Sequence, residues 1–191
     1  MKINYKAKKS QAYLLGGFLL FIVLALFIMS QTYRENISTK DYLPKNIETE
    51  FQRSLTAFFI INNSVGYIDC GMNNYSLLAG NFIKSKGYAL ESYYIVLMPN
   101  VSVIFGNYFN ESINNVSISI NSETISRSVA SKTSSIFYFN NSEEDILNFS
   151  YNFSINSLTF EKSKKIRNSL FYVYWIKLVK GADIRVEEVE R

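Results

Sequence analysis

Nine asparagines stand in the pattern Asn-x-Ser, the acceptor signal for N-linked glycosylation in exported proteins. In that chemistry a sugar is attached to the asparagine side-chain amide, and the hydroxyl two residues later is part of the signal. Chance would give roughly three such sequons in a chain of this composition. The excess predicts a glycosylated, solvent-exposed surface. The candidate acceptors are Asn36, Asn62, Asn74, Asn100, Asn110, Asn115, Asn140, Asn148 and Asn152.

A half-buried β-strand offers a second explanation of this excess. Such a strand alternates polar with apolar residues, so Asn and Ser on its polar side create Asn-x-Ser without any modification. Asn115-Val116-Ser117 and Asn148-Phe149-Ser150 fit this pattern. A gene rich in A and T would also enrich Asn, Ile, Lys, Tyr and Phe. Because both explanations put the asparagines on the solvent side, exposure is the prediction that they share.

The other residue types restrict the chemistry of the chain. It has no histidine, so it lacks the commonest general base and metal ligand. Its single cysteine, Cys70, can form neither an internal disulfide nor a cysteine zinc site, and we expect it to be small, buried and unreactive, just after a helix. We find no phosphate-binding glycine loop, Gly-x-Ser-x-Gly or Cys-x-x-Cys motif. The sequence therefore predicts no catalytic, cofactor-binding or metal site, and no enzyme.

Two charged clusters are interpreted as structural. Glu143, Glu144 and Asp145 are adjacent, so their side chains diverge, and we expect a solvated turn before a strand at Ile146. A basic cluster could meet anionic lipid or polymer, but a charged loop between strands is the interpretation we favour. It consists of Lys162, Lys164, Lys165 and Arg167.

The element that would carry these residues out of the cell is the uncharged run Ala12–Met29. A helix of this length spans about 27 Å, close to the roughly 30 Å hydrocarbon core of a bilayer. Lysines precede the run, and basic flanks stay in the cytoplasm. We therefore predict a cytoplasmic leader over 1–11, a transmembrane helix in membrane lipid over 12–31, and an external domain over 32–191. The lysines are Lys2, Lys6, Lys8 and Lys9.

A cleaved signal peptide is the alternative to a retained anchor. The apolar core of a signal peptide has about 7–15 residues and ends in an Ala-x-Ala-like site. This run is longer and lacks such a site before Ser30, which favours retention. Four of the 20 basic residues precede the run, so the chain beyond it holds 16 basic and 16 acidic residues. A neutral external part gives no electrostatic case for a nucleic-acid partner.

The junction Lys8-Lys9-Ser10-Gln11, followed by an apolar helix, resembles the leader of archaeal type IV pilin-like precursors. The resemblance covers about 25 residues at the N-terminus. It implies cleavage between Ser10 and Gln11, an exposed β-rich head and assembly at the cell surface. The chain has Ser10 where pilins usually have Gly or Ala, and Leu15 where many have Glu.

The sequence of the external part predicts helices over 41–88 and strands over 90–191. Apolar residues recur every four positions through 41–62, which predicts an amphipathic helix, and a second helix is expected over 75–88. From residue 90 the period changes to two, which predicts six or seven strands. The segment 170–179 is apolar on both faces and is expected to be a central strand covered on both sides. The predicted fold class is α+β, with short amphipathic helices and an antiparallel β-sandwich-like domain. The recurring residues of the first helix are Leu43, Ile47, Phe51, Leu55 and Phe59.

Together these features predict a single-pass, membrane-anchored protein with an external domain in a structural or interaction role. Protein partners and self-assembly, as in a pilin-like subunit, both fit this prediction. One alternative is an accessory subunit of a membrane or secretion complex. Another is an anchored enzyme whose polar cleft leaves no sequence motif.

Overall fold

A computed structural model describes residues 43–140 and 144–191, which hold two helices followed by nine strands. The predicted leader, transmembrane helix, cleavage site at Ser10 and Gln11, and Asn36 lie outside these residues. Among the residues described, no helix is both long and apolar enough to cross a bilayer. The elements are α1 (43–61), α2 (Val65–Ser85), β1 (Ala89–Leu97), β2 (Ser102–Asn107), β3 (Ile113–Ile120), β4 (Glu123–Val129), β5 (Thr133–Tyr138), β6 (Ile146–Ile155), β7 (Leu158–Arg167), β8 (Phe171–Lys180) and β9 (Asp183–Glu190).

The strands form two antiparallel sheets that pack face to face. The first sheet has the order β5-β2-β1-β8-β9 and the second has the order β4-β3-β6-β7. The core between them is largely aromatic. The rings of Tyr93 in the first sheet and Phe153 in the second are in contact, with 4.9 Å between their centroids. The predicted α+β class with an antiparallel, sandwich-like β domain is confirmed at this level.

The two helices cover the outer side of the first sheet. On α1, Phe51 stacks on Tyr174 of β8 with 4.1 Å between ring centroids, and it also contacts Tyr94 and Tyr172. The first sheet is therefore covered on both sides, which explains why β8 lacks polar alternation. The prediction of a twice-covered strand at 170–179 is confirmed.

Helix α2 begins at Val65, ten residues before the predicted start. Gly66, Gly71 and neighbouring asparagines have low helix propensity, so the sequence signal is weak there. A Cβ on Gly71 would lie 2.8 Å from the Phe58 ring, so this glycine lets α1 and α2 approach closely. Cys70 lies within α2 and is exposed, so the expectation of a buried cysteine after a helix is wrong.

The basic cluster at 162–167 lies in β7, so its assignment to a loop is wrong. Lys162 and Lys164 point toward the β9 edge of the sandwich, where Glu188 and Glu190 lie. With β7 and β4 added, the domain has nine strands instead of six or seven. Glu143 lies outside the described residues, and Glu144 and Asp145 are exposed directly before β6, as predicted.

Candidate functional site

The outer side of the second sheet carries three of the candidate glycosylation sites. Asn115 lies on β3, and Asn148 and Asn152 lie on β6. All three are exposed, and no hydrogen bond within the described part of the chain involves their side-chain amides. We call this surface the sequon face and define it by Asn115, Ser117, Asn148, Ser150, Asn152 and Ser154.

Strand geometry explains why the acceptor and its hydroxyl share this face. Side chains alternate sides along a strand, so residues two apart point the same way. Ser154 is exposed, and Ser117 and Ser150 are half-buried. Phe149 and Phe153, the middle residues of the two β6 sequons, are buried in the core. Burial of the apolar middle residue therefore holds both polar residues of the signal in solvent.

Pairing of β3 with β6 brings two sequons side by side. Ser117 lies directly opposite Asn152 in the antiparallel register. Both residues, with Asn115 and Ser154, line a groove of about 640 Å³. Its rim carries the carboxylate of Glu111, to which Asn156 donates when its amide nitrogen faces that group. The groove presents amides and hydroxyls rather than a pair of facing carboxylates.

Two other sequons have a different geometry. Asn74 is exposed on α2, but Ser76 is buried and its hydroxyl donates to the Met72 carbonyl at 2.9 Å. Asn100 is exposed in the β1–β2 turn, whereas Ser102 is buried. In these two sequons the fold separates the acceptor from its hydroxyl.

The remaining described acceptors lie in loops. Asn62 joins α1 to α2, Asn110 follows β2, and Asn140 follows β5. Like the other five they are exposed, so all eight described asparagines lie on the solvent side, as both explanations of the excess predict.

A polar cluster beneath α2 has no sequence motif. Tyr108 donates a hydrogen bond to Asn73 of α2, and burial raises the pKa of Tyr108 to about 12. Nearby, the Tyr94 hydroxyl and Asp69 Oδ1 are buried without a hydrogen-bond partner among the described residues. Because Tyr108 stays protonated at neutral pH, its hydroxyl acts as a donor that fixes α2 on the sheet. Only the tertiary packing brings these residues together.

Helix α2 also carries exposed apolar side chains. Gly71, Tyr75, Leu78 and Phe82 follow a spacing of four, three and four, so they share one side of the helix. Gly71 and Tyr75 contact α1, whereas Leu78 and Phe82 are 69% and 54% exposed. This apolar stripe therefore continues beyond its contact with α1.

A metal site is not evident in the part of the chain that is described. No group of three or more Cys, Asp or Glu residues there is close enough to hold a metal ion. No protein-family model matches the chain, and no curated protein or solved structure matches it either. Function is therefore inferred from the residues and their geometry.

Proposed function

We propose that the chain is a single-pass membrane protein that displays its β-rich domain outside the cell and carries N-linked glycans on the sequon face. Its role is structural or interactive rather than catalytic. The observation that carries this proposal is the alignment of acceptor amide and hydroxyl on one solvent side at Asn115, Asn148 and Asn152.

The proposed anchor is supported by the uncharged run Ala12–Met29 and the lysines before it. Its length suits a bilayer, and its basic flank orients the N-terminus toward the cytoplasm. The neutral charge of everything after the run fits a domain that does not recruit nucleic acid.

Two measurements on the chain from its native membrane test this proposal. Protease added to intact cells should remove the domain after residue 43, and intact mass should exceed the sequence mass in sugar-sized steps. A domain protected from protease would contradict external display. An unmodified mass would contradict glycosylation, and the variant Asn148→Gln, which should lose one step, is the matched control.

Pilin-type processing and assembly extend this proposal. The resemblance at Lys8–Gln11 predicts a mature chain that begins at Gln11, and its apolar helix would then pack in a surface polymer. N-terminal sequencing of the purified protein tests this directly. A chain that retains residues 1–10, or that stays monomeric in native mass measurements, would leave a solitary anchored domain instead.

A second candidate function is that of an accessory subunit of a membrane complex. The exposed Leu78 and Phe82 favour it, because exposed apolar residues on one helix side are typical of docking surfaces. Leu78→Glu should reduce the size of the complex extracted in mild detergent, whereas Ile184→Glu, at a 60% exposed position on β9, should not. An unchanged complex with Leu78→Glu would contradict docking through α2.

A further inference from the structure

Among the residues that the structure describes, the sequons differ in how far the acceptor and its hydroxyl residue are exposed together. A modifying enzyme must contact both the acceptor amide and the hydroxyl two residues later, since both define the signal. The relevant property is therefore the exposure of the pair, and exposure of the asparagine alone is insufficient.

On the sequon face the pair stays together. Asn148 with Ser150, and Asn152 with Ser154, point to the same side of β6, about 7 Å apart along the strand. Asn115 and Ser117 of β3 line one groove together, although β3 shifts its register with β4 between Ile113 and Val116. Each of these three signals therefore presents its amide and its hydroxyl on one side of the folded domain, where the Ser117 hydroxyl accepts from Ser126 and the Ser154 hydroxyl shares a hydrogen bond with Thr159.

On α2 the pair is split by helix geometry. Residues two apart in an α-helix are rotated by about 200°, so Asn74 and Ser76 point in nearly opposite directions. Ser76 is 4% exposed and faces the sheet. Reading this signal would require at least the local unfolding of α2.

In the β1–β2 turn the pair is split by the backbone. Val101, the middle residue of the Asn100 sequon, has φ = 60° and is fully buried. The Ser102 amide donates to Asn100 Oδ1 at 3.3 Å, and Ser102 itself is 3% exposed. The side-chain amide of Asn100 therefore contacts the local backbone through its oxygen, and the Ser102 side chain is buried.

We infer that folding selects the modified sites: the folded domain is the substrate, Asn115, Asn148 and Asn152 are modified, and Asn74 and Asn100 stay bare. This rests on the glycosylation proposed above. The sugar would then coat the outer side of the second sheet.

Site-by-site glycopeptide mass spectrometry of the native full chain tests this selection. Occupancy at Asn74 and Asn100 should be at least about tenfold lower than at the three strand sites, because their signals become readable only on local unfolding. Equal occupancy at all five sites would overturn the inference, since it would mean that modification precedes folding. No sugar at any site would instead defeat the proposed glycosylation itself.

Two engineered sequons separate strand geometry from mere exposure. Thr124→Asn creates Asn-Ile-Ser at 124–126 on the outer side of β4, where Thr124 and Ser126 are both exposed. Ser54→Asn creates Asn-Leu-Thr at 54–56 on α1, where Thr56 is exposed and Ser54 is half-buried. We expect the first to be occupied to the level of Asn148 and the second to stay bare. Occupancy of the helical site, or a bare strand site beside an occupied Asn148, would contradict selection by the fold.

Discussion

At the scale of single residues, two glycines illustrate how differently the same residue can be used. Gly106 lies in β2 beneath the ring of Tyr94, and a Cβ added there would lie 2.3 Å from Tyr94 Cε1. Gly80 lies within α2, and a Cβ added there would meet nothing within 4 Å. Gly106 is therefore required by close packing, whereas Gly80 only weakens its helix.

Opposite substitution effects are expected from this contrast. Gly106→Ala should lower the free energy of unfolding by about 1–3 kcal/mol, because the buried Tyr94 ring between Phe51 and Tyr108 has little room to move. Gly80→Ala should raise it by about 0.5–1 kcal/mol through helix propensity. Urea unfolding followed by circular dichroism measures both. Equal effects of the two substitutions would contradict the packing of Tyr94 on Gly106.

A hydrogen bond between tyrosines links the two sheets inside the core. The hydroxyls of Tyr93 and Tyr151 lie 3.1 Å apart, and both residues are buried. Burial, followed by this hydrogen bond, raises the pKa of Tyr93 above its usual range. Both groups therefore stay protonated and depend on each other for a partner.

Removing one of the two hydroxyls should lower the free energy of unfolding by more than the hydrogen bond itself contributes, because the other hydroxyl stays buried. Tyr151→Phe leaves the Tyr93 hydroxyl buried without this partner, which should lower the free energy of unfolding by about 1–3 kcal/mol. The double variant Tyr93→Phe/Tyr151→Phe should be more stable than the sum of the single effects predicts. Tyr138→Phe, at a 59% exposed position, is the control and should change stability by less than about 0.5 kcal/mol. Strict additivity in the double-mutant cycle would argue against the hydrogen bond.

Single residues were predictable where periodicity alone sets their surroundings. The alternation in Asn148-Phe149-Ser150 was enough to place Asn148 in solvent and Phe149 in the core. The cluster of Tyr94, Tyr108 and Asp69 was not predictable, because it joins residues from a helix, a strand and a loop. Cys70 was misplaced for the same reason: its exposure depends on where α2 begins and which side of it faces the sheet.

At the scale of elements, an ion-pair network closes one edge of the sandwich. Lys162 of β7 lies 3.0 Å from both Glu188 and Glu190 of β9, and Lys164 lies 3.6 Å from Glu190. Burial alone would lower the pKa of Lys162, but hydrogen bonds to Glu190 and Glu188 raise it. The second sheet is thereby joined to the first where the apolar core ends.

Lys162→Ala should therefore weaken the contact between β7 and β9. We expect a loss of about 1 kcal/mol in the free energy of unfolding, because partly exposed ion pairs are worth little individually and more in a network. The loss should shrink in high salt, which screens these charges. Lys165→Ala, on the opposite side of the same strand, is the control and should have little effect. A salt-independent loss would indicate that the lysine stem, rather than its charge, supports the edge.

Charged residues at inward positions also explain why β7 and β4 were not predicted from the sequence. In β7 the two inward positions between Phe160 and Ile166 are lysines rather than apolar residues, so the period-two signal is interrupted and the segment resembles a loop. In β4 the inward Arg127 lies between Ile125 and Val129 and weakens the pattern in the same way. Central strands such as β6 and β8 were predictable because the inward positions are apolar throughout β6 and from Phe171 to Trp175 in β8. Edges are set by tertiary pairing, which local sequence does not encode.

At the scale of the whole molecule, the domain presents different chemistry on its two broad sides. The second sheet offers Asn, Ser and Thr to solvent, and the helices on the first sheet offer Leu78 and Phe82. The interior between and beneath these surfaces is dominated by aromatic rings, including Tyr93, Tyr94 and Tyr174, each at most 1% exposed. Because the core contains ionisable tyrosine rings, the free energy of unfolding of the whole domain should depend on pH in the alkaline range.

The sign of that dependence is set by the tyrosine pKa values. Burial raises the pKa of Tyr108 to about 12, and burial also raises the pKa values of Tyr93, Tyr94 and Tyr174 well above the usual range. Below about pH 10 these groups are protonated in both the folded and the unfolded chain, so they add no pH dependence. Above it the unfolded chain releases protons that the folded chain retains, and folding becomes less favourable as pH rises. Since the chain has no histidine, stability should be nearly flat around neutral pH.

Alkaline unfolding should therefore be steep and should precede tyrosine ionisation in the core. These four tyrosines alone should lower the free energy of unfolding by on the order of 4 kcal/mol between about pH 10 and 11, and Tyr75, Tyr151 and Tyr172, whose pKa values burial also raises, add to this loss. Urea unfolding across this range measures the slope, and tyrosinate absorbance in the near ultraviolet reports ionisation. Tyr108→Phe removes one of these groups and should reduce the slope by about 1.1 kcal/mol per pH unit at its steepest, near pH 11. Complete tyrosine ionisation near pH 10 with native near-ultraviolet circular dichroism would contradict an aromatic interior closed to water.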